Sequence, residues 1–220
     1  MKMNTEGVVR VGGGRGFVME HRVHFDLGDG NGHRKLRRKL VVTASHCLPH
    51  PPKMPCYSYK ETTFAKLLAP LGEEPSVWAE CLFFDPVADV AVLGEPDSQE
   101  LCEEWDDYYA LVADRKPFAL AAPNTGEGYI LALDGTAWTP TPLRVFECML
   151  GRSLSSGPTI AGQSGSPILD GKGRAVALVS VGTEISSNGV KTPHESGPQP
   201  ILKNALPPWL LTAMKLKHSR

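Results

Sequence analysis

Three absences narrow the class of protein that this sequence can encode. No run of apolar residues approaches the roughly 18 that a membrane-spanning helix needs. The formal net charge is only −1, so the chain as a whole has no electrostatic attraction to nucleic acid or to an acidic membrane surface. The N-terminus has no apolar segment of the kind that a secretory signal peptide requires. We therefore expect neither a membrane nor a nucleic acid as a partner.

Cysteine is scarce and odd in number. The five residues are widely scattered, at Cys47, Cys56, Cys81, Cys102 and Cys148. An odd count without regular spacing argues against a disulfide framework and favours a reducing compartment. We therefore predict five free thiols and a cytoplasmic protein.

Glycine and proline are abundant by contrast, with 22 and 19 residues among the 220. This density of chain breakers suits many short strands better than long helices. The hydrophobic fraction of 41% is enough for a substantial core. We predict two β-rich segments (1–96 and 116–205), a helix that connects them (97–115) and a C-terminal helix (206–220).

Helices are predicted in three places. The connecting helix covers about Asp97 to Ala113, with its aromatic residues packed on the body of the protein. Its apolar face contains Leu101, Trp105, Tyr108, Tyr109 and Val112. A shorter helix is predicted around Thr62 to Leu71, where Phe64, Leu67, Leu68 and Leu71 share a face. Pro207 and Pro208 open the C-terminal helix, because proline is tolerated in a first turn.

Two patterns resemble ligand sites but are better explained without a ligand. The basic run from Arg34 to Lys39 ends a polar stretch that begins at His21, which we interpret as a long exposed hairpin loop. A nucleic-acid patch is the less favoured alternative, because no aromatic residues interleave the charges. A zinc site would draw on His46, Cys47, His50 and Cys56. No second ligand pair has the usual spacing, so we expect no metal and no cofactor.

The segment Ile160 to Leu169 reads I-A-G-Q-S-G-S-P-I-L and predicts a tight turn with Ser164 at its tip. Glycine allows backbone conformations that side chains forbid, and such a turn can aim successive N–H groups at one point. An ordinary hairpin loop is the alternative, since glycine and serine are common turn residues. The choice depends on whether a base and an acid lie elsewhere in a fitting context.

A base and an acid do occur, each at the edge of an apolar strand. His46 follows the predicted strand Leu40–Ala44, and Asp89 directly precedes the strand Val90–Leu93. With Ser164 they supply a nucleophile, its base and an orienting acid. Each residue alone is more often an ordinary turn or surface residue.

The motifs around these residues resemble those of the chymotrypsin-like serine peptidases. Thr43-Ala44-Ser45-His46-Cys47 resembles their Thr-Ala-Ala-His-Cys, and Asp89 to Leu93 resembles their Asp-(Ile/Leu)-Ala-(Leu/Val)-Leu. The segment Gly162–Pro167 is similar to their Gly-Asp-Ser-Gly-Gly-Pro. The segment Val179–Gly182 is similar to their Val-Ser-Trp-Gly. The resemblance covers about residues 8 to 217 and is closest to the bacterial trypsin-like, HtrA-type branch.

This resemblance implies an all-β fold of two six-stranded antiparallel β-barrels, with the connecting and C-terminal helices. The site would lie between the barrels, with His46 and Asp89 in the first and Ser164 in the second. The resemblance assigns the oxyanion hole to the backbone N–H groups of Gly162 and Ser164. It also implies that Ser180, Val181 and Gly182 pair with an extended substrate and that Ser180 donates a hydrogen bond to Asp89.

Departures from the family motifs refine the expectation. Gln163 stands where zymogen-activated members carry an aspartate, so activation by N-terminal cleavage is not expected. Cys47 has no upstream cysteine to pair with, and Ser166 replaces the second glycine of the serine motif. Pro158 stands where trypsin-like members have a pocket aspartate, so cleavage after Lys or Arg is not expected.

The resemblance therefore implies a cofactor-free serine endopeptidase that acts on proteins or peptides through an acyl-enzyme. We expect it to prefer a small or apolar residue at the cleavage site. A regulatory protein partner is compatible with the sequence. The alternative is a binding or scaffold module that keeps the fold without turning over a substrate, since fold alone does not imply function.

Overall fold

The computed structural model describes residues 4–26, 33–52, 61–86, 88–122, 126–134, 137–147, 152–155, 162–180, 202–206, 210 and 212. This part of the chain is mostly β, with six strands in each of two sheets and one α-helix between them. The prediction of a mostly β chain with a six-stranded barrel and a connecting helix is confirmed.

The first sheet is a closed antiparallel barrel of residues 8–94. Its strands are β1 (Val8–Val11), β2 (Gly14–Asp26), β3 (His33–Thr43), β4 (Thr63–Ala69), β5 (Val77–Asp85) and β6 (Val90–Gly94). They pair in the order β1-β2-β3-β6-β5-β4, and β4 pairs back to β1. The side chains of Val9, Val41 and Leu93 are completely buried, which accounts for the apolar, β-branched sequences of these strands.

The second sheet also has six antiparallel strands. They are β7 (Gly126–Asp134), β8 (Ala137–Glu147), β9 (Arg152–Ser155), β10 (Pro167–Leu169), β11 (Ala175–Leu178) and β12 (Leu202–Ala205). Their order is β10-β11-β12-β9-β8-β7, and β7 also pairs with β10 through Ile130 and Ile168. Burial of Ile130, Ile168, Val176 and Val179 forms its apolar cluster.

The connecting helix α1 (Cys102–Ala113) begins later than Asp97 and packs only part of its predicted face. Tyr108 is buried and its hydroxyl donates to the carbonyls of Lys39 and Leu93, which fixes the helix against the first barrel. Tyr109 is 59% exposed and stacks on Trp105, with ring centroids 5.5 Å apart. The prediction that all the aromatic residues pack on the body is therefore wrong for Tyr109.

The helix predicted around Thr62 to Leu71 is wrong, because this segment is strand β4. Its pairing with β5 shifts register between Phe64 and Leu68, and Lys66 has a positive φ of 50°. This irregularity breaks the alternation expected of a strand. Phe64, Leu67 and Leu68 are all buried as a result, so a bulged strand imitates the spacing of a helix.

The long loop predicted between His21 and Lys39 is also wrong. Strands β2 and β3 pair without interruption from Gly16 with Thr43 to Asp26 with His33. The polarity of this stretch alone does not distinguish a paired two-stranded ribbon from a loop.

Some predicted features lie outside the described residues. They include Pro158, Val181, Gly182, two cysteines (Cys56 and Cys148) and most of the C-terminal helix. Of that helix, Leu206 and Leu210 are described and are buried. Within the described ranges, no helix is long and apolar enough to cross a membrane.

Candidate active site

The candidate acid, Asp89, lies in the turn between β5 and β6. Its φ is +52°, in the left-handed region that aspartate tolerates better than most side chains. Its backbone carbonyl accepts a hydrogen bond from the Ser45 N–H at 3.2 Å. The neighbouring Asp85 accepts a hydrogen bond from the Ala88 N–H at 2.9 Å, so its carboxylate stabilises the turn itself.

The Asp89 carboxylate accepts four hydrogen bonds. Oδ1 accepts from the Ser45 hydroxyl at 2.7 Å and from the His46 backbone N–H at 3.1 Å. Oδ2 lies 2.8 Å from His46 Nδ1 and accepts from the Ser180 hydroxyl at 2.5 Å. Ser180 follows β11 of the second sheet, so both halves of the molecule fix this carboxylate.

These contacts determine the charge of Asp89. Burial acts to raise the pKa of its carboxyl group, but the hydrogen bonds from His46, Ser180 and Ser45, together with the charge of His46, outweigh burial and lower that pKa. The group is therefore ionised at neutral pH. An ionised carboxylate at Nδ1 accepts a hydrogen bond from that nitrogen and leaves Nε2 as the ring nitrogen that can exchange a proton with a substrate.

His46 reaches Asp89 because a single 3-10 turn, Ser45–Cys47, follows β3. Ala44 and Leu48 on either side are extended, so the turn directs Ser45 and His46 toward the same carboxylate. The His46 side chain is 47% exposed, whereas that of Asp89 is 15% exposed. The imidazole is thus open to a substrate while the acid behind it is shielded.

Ser164 lies in a tight turn before β10, as the glycine pattern predicts. Gly162 and Gly165 have φ of +82° and +79°, which favour glycine. The Ser166 N–H donates to the Gln163 carbonyl at 2.9 Å, and the Gly165 N–H donates to the Val179 carbonyl at 2.7 Å. Ser164 is half-buried.

Residues of the first barrel hold this turn from the other side. The Arg15 N–H donates to the Ser164 carbonyl at 2.7 Å. A Cβ on Gly14 would stand 2.7 Å from that carbonyl oxygen and 2.6 Å from Cys47 Sγ. The turn therefore packs beside Cys47, the chain neighbour of His46, and this brings the segments of Ser164 and His46 together. Among the described residues, no direct hydrogen bond joins the Ser164 side chain to His46.

Three comparisons with known proteins address the fold. Neither the protein-family models nor the curated protein sequences contain a match. Among solved structures, the chain is similar to a serine protease of a human pathogenic astrovirus, with a TM-score of 0.52, 13% identity and 94% of each chain covered. It is also similar to the Rv3671c protease in its inactive form, with a TM-score of 0.50 and 15% identity over 95% of this chain and 87% of that one.

A third similar structure is a serine endoprotease from Yersinia pestis, with a TM-score of 0.51 and 15% identity over 95% of this chain and 61% of that one. The chain has a chymotrypsin-like serine protease fold. Identities of this size show the fold alone. In this fold, the described part of the chain brings His46, Asp89, Ser180 and the Ser164 turn to the junction of the two sheets.

The same junction includes residues that the motifs did not single out for the site. Gly14 and Arg15 support the Ser164 carbonyl, and the Ser45 hydroxyl is an additional donor to Asp89. The glycine-rich stretch from Gly12 to Gly16 was a usable signal, because it marks a close approach of two backbones. Nothing in the sequence indicated which backbone approaches.

The structure gives no support to the zinc alternative. His50 packs against Phe64, with ring centroids 5.0 Å apart. Burial raises the pKa of the Cys47 thiol to about 11, so the side chain is a protonated thiol near neutral pH. In the described ranges, no three histidine, cysteine or acidic side chains cluster as a metal site would require.

Proposed function

We propose that this chain is a serine endopeptidase of the chymotrypsin-like family, and that His46, Asp89 and Ser164 are its catalytic residues. The observation that carries the proposal is the Asp89 carboxylate. It is ionised, bound to His46 Nδ1 at 2.8 Å and linked by Ser180 to the sheet that bears Ser164. A structural aspartate would not need a half-exposed histidine as its partner.

In the proposed reaction, the Ser164 hydroxyl attacks the carbonyl carbon of a peptide bond while His46 Nε2 takes the hydroxyl proton. The imidazolium that forms is stabilised by Asp89, and it then gives its proton to the leaving amine. This leaves an acyl group on Ser164. A water molecule, deprotonated by His46, hydrolyses the acyl-enzyme and restores the free serine.

We propose that the backbone N–H groups of Gly162 and Ser164 bind the oxyanion. In the described part of the chain, neither N–H group donates to another residue. One such donor typically stabilises the transition state by ~3 kcal/mol. Ser180, with Val181 and Gly182 after it, would hydrogen-bond an extended substrate as an added strand.

Two finer assignments belong to the same proposal. The pairing of β7 with both β8 and β10 supports a second barrel. The HtrA-type branch stays a prediction, because the similar structures come from a virus as well as from bacteria and have nearly equal TM-scores. A cytoplasmic location also stays a prediction, and the free thiols of Cys47, Cys81 and Cys102 are compatible with it.

A catalytically silent binding module is the second candidate function. The observation in its favour is the lack of a direct hydrogen bond between Ser164 and His46 in the described structure. Catalytic hydrogen bonds are often long before a substrate binds, so this observation is compatible with an enzyme as well. The two functions are distinguished by the reactivity of one hydroxyl.

The deciding experiment is labelling of the folded protein with a fluorophosphonate, followed by mass spectrometry of the peptides. An activated Ser164 should be modified in a time-dependent way, and the label should be absent from Ser164→Ala. His46→Ala should lose the label as well, although its serine is intact. Labelling that is equal in the wild type and in His46→Ala would contradict the triad. A folded but inert wild type would support the binding module.

A further inference from the structure

Arg15 is a charged residue buried at the junction of the two sheets. It lies in β2, directly after the glycine-rich bend, and only 7% of it is exposed. Burial lowers the pKa of its guanidinium to about 10, so the group keeps its charge at neutral pH. A buried cation is costly unless its donors are used, so its contacts indicate why it is there.

Several contacts of Arg15 lead to the nucleophile turn or to strand β7 beside it. Its backbone N–H donates to the Ser164 carbonyl at 2.7 Å. Its guanidinium donates to the Leu131 carbonyl at 3.0 Å and makes a longer contact of 3.4 Å with the Ser166 hydroxyl. Its own carbonyl accepts from the Thr43 hydroxyl at 2.6 Å. Both the backbone and the side chain of Arg15 are therefore fixed.

The Leu131 carbonyl depends on Arg15 for a reason that the strand pairing reveals. In β7, Leu131 pairs with Pro140 of β8. On the other side, β7 pairs with β10 through Ile130 and Ile168, and the residue that continues this register opposite Leu131 is Pro167. Proline has no N–H, so neither neighbour can donate a ladder hydrogen bond to Leu131. The guanidinium supplies the donor that both strands lack.

Arg15 thus joins three parts of the second sheet to the first barrel. Through Leu131 it holds β7, through the Ser166 contact it reaches the start of β10, and through its backbone it holds Ser164 itself. Gly165 completes the fit, since a Cβ there would collide with the Arg15 carbonyl and with Thr43 Oγ1. Gln163 is neutral, so the charge that orders this turn in zymogen-activated relatives is not available here.

We propose that Arg15 is the positioning residue that sets the Gly162–Ser166 turn from the opposite half of the molecule. It gives the turn its reactive shape without a newly formed N-terminus. This inference rests on the proposed function, because the shape of the turn has a measurable effect only if Ser164 is a nucleophile.

The test compares the wild type with Arg15→Met, which keeps a long apolar stem and the backbone N–H to Ser164 and removes the guanidinium donors to Leu131 and Ser166. We expect fluorophosphonate labelling of Ser164 to slow on the order of 100-fold, since small displacements of a nucleophile have effects of that size. With an ester substrate, kcat should fall by the same factor while KM changes little. All rates are divided by the concentration of folded protein, measured for each variant by far-UV circular dichroism, so an unfolded fraction does not count as slow chemistry.

Two control variants separate positioning from general stability. Arg10→Met removes a half-buried arginine of β1 that pairs with the exposed Glu74, and its labelling rate should stay within about twofold of the wild type. Val112→Ala removes buried volume from α1, far along the chain from the site. It should lower the melting temperature without changing the labelling rate per folded molecule.

Arg15→Lys provides a second variant if Arg15→Met does not fold. Lysine keeps the charge, but its ammonium stands on a shorter stem than Nη1, the atom that makes both side-chain contacts, so labelling should slow by about tenfold. Wild-type labelling rates in a folded Arg15→Met or Arg15→Lys would overturn the inference and leave the proposed function intact. A wild type that does not react would instead contradict the proposed function.

Discussion

In the first barrel, Asp89 and His46 are joined by hydrogen bonds between side chains of the barrel itself, with Ser180 as a single donor from outside. In the second sheet, the Ser164 turn depends on backbone geometry, and its carbonyl is held by Arg15 from the other half. The acid–base pair is therefore mostly a local construction. The nucleophile turn acquires its final shape only when the two halves meet.

Because of this difference, substitutions in the two regions should impair catalysis in different ways. A change at Asp89 should impair proton transfer while leaving the turn in place. A change at the glycines that contact the first barrel should displace Ser164 while leaving the carboxylate charged. Variants in each region test whether the acid–base pair and the nucleophile turn can be impaired separately.

Replacing Asp89 with asparagine should have the largest effect. The amide NH2 favours the wrong tautomer of His46, and the corresponding change in a serine protease lowers kcat by about 10⁴. Turnover of an ester substrate near neutral pH measures this loss. A decrease of less than tenfold would contradict the catalytic role of Asp89.

The same variant has a consequence for stability against pH. The pKa of Asp89 is lowered in the folded state, so this carboxylate stabilises the fold above its unfolded pKa, and that contribution is lost as pH falls through the folded value. Urea unfolding at several pH values should therefore show a gap between wild type and Asp89→Asn that is widest near neutrality and narrows in acid. A gap independent of pH would contradict the lowered pKa of Asp89 in the folded state.

Gly165→Ala tests the region that depends on the other half. A Cβ there meets the Arg15 carbonyl and Thr43 Oγ1, and the φ of +79° is unfavourable for alanine. We expect labelling of Ser164 to fall on the order of 100-fold. Gly171→Ala is the matched control in the same sheet, because a Cβ at Gly171 meets nothing within 4 Å. Equal labelling rates of the two variants would show that the Ser164 turn does not depend on its contacts with the first barrel.

Ser45→Ala should have a smaller effect on the acid–base side. It removes one of the four hydrogen bonds to Asp89, the 2.7 Å contact with Oδ1, and leaves the other three. A single neutral donor contributes about 1 kcal/mol, so we expect kcat to decrease by about fivefold. Ser45→Thr keeps a hydroxyl and should restore most of the rate. If kcat of Ser45→Thr were no higher than kcat of Ser45→Ala, the Ser45 hydroxyl would have no role in catalysis.

The smallest effect is expected at the N-terminus and at Gln163. Because Arg15 and the glycines set the turn, an N-terminal tag should leave the ester hydrolysis rate within about twofold of the untagged protein. Gln163→Asp should not raise the rate, since an unpaired buried charge costs several kcal/mol. Activity that appears only after removal of N-terminal residues would show that the turn is not self-contained.

Much of the fold could be predicted from the sequence where local pattern and burial agree. The apolar runs at Val8–Val11 and Val90–Gly94 are strands, and Tyr108 and Val112 mark the inner face of α1. Prediction failed at β4, where a bulge near Lys66 replaced the alternation of a strand with the spacing of a helix. Prediction also failed along β2 and β3, where a polar sequence forms continuous antiparallel strand pairing.

Local sequence patterns specify the kinds of residue available for chemistry. Glycines at 162 and 165 specify a turn around Ser164, and the strand edges place His46 and Asp89. These are local properties, since positive φ and apolar periodicity depend on a few neighbouring residues. The amino-acid sequence is therefore sufficient to predict the turn and the strand edges.

Only the tertiary structure decided which groups contact one another. That Arg15 holds Ser164 and that Arg15 replaces the donors missing at Leu131 are contacts between residues 116 or more positions apart, and no sequence motif indicated them. The physical reason is that a buried carbonyl or carboxylate must find a donor wherever packing brings one within about 3 Å. Which donor that is depends on strand register and on how the two sheets meet.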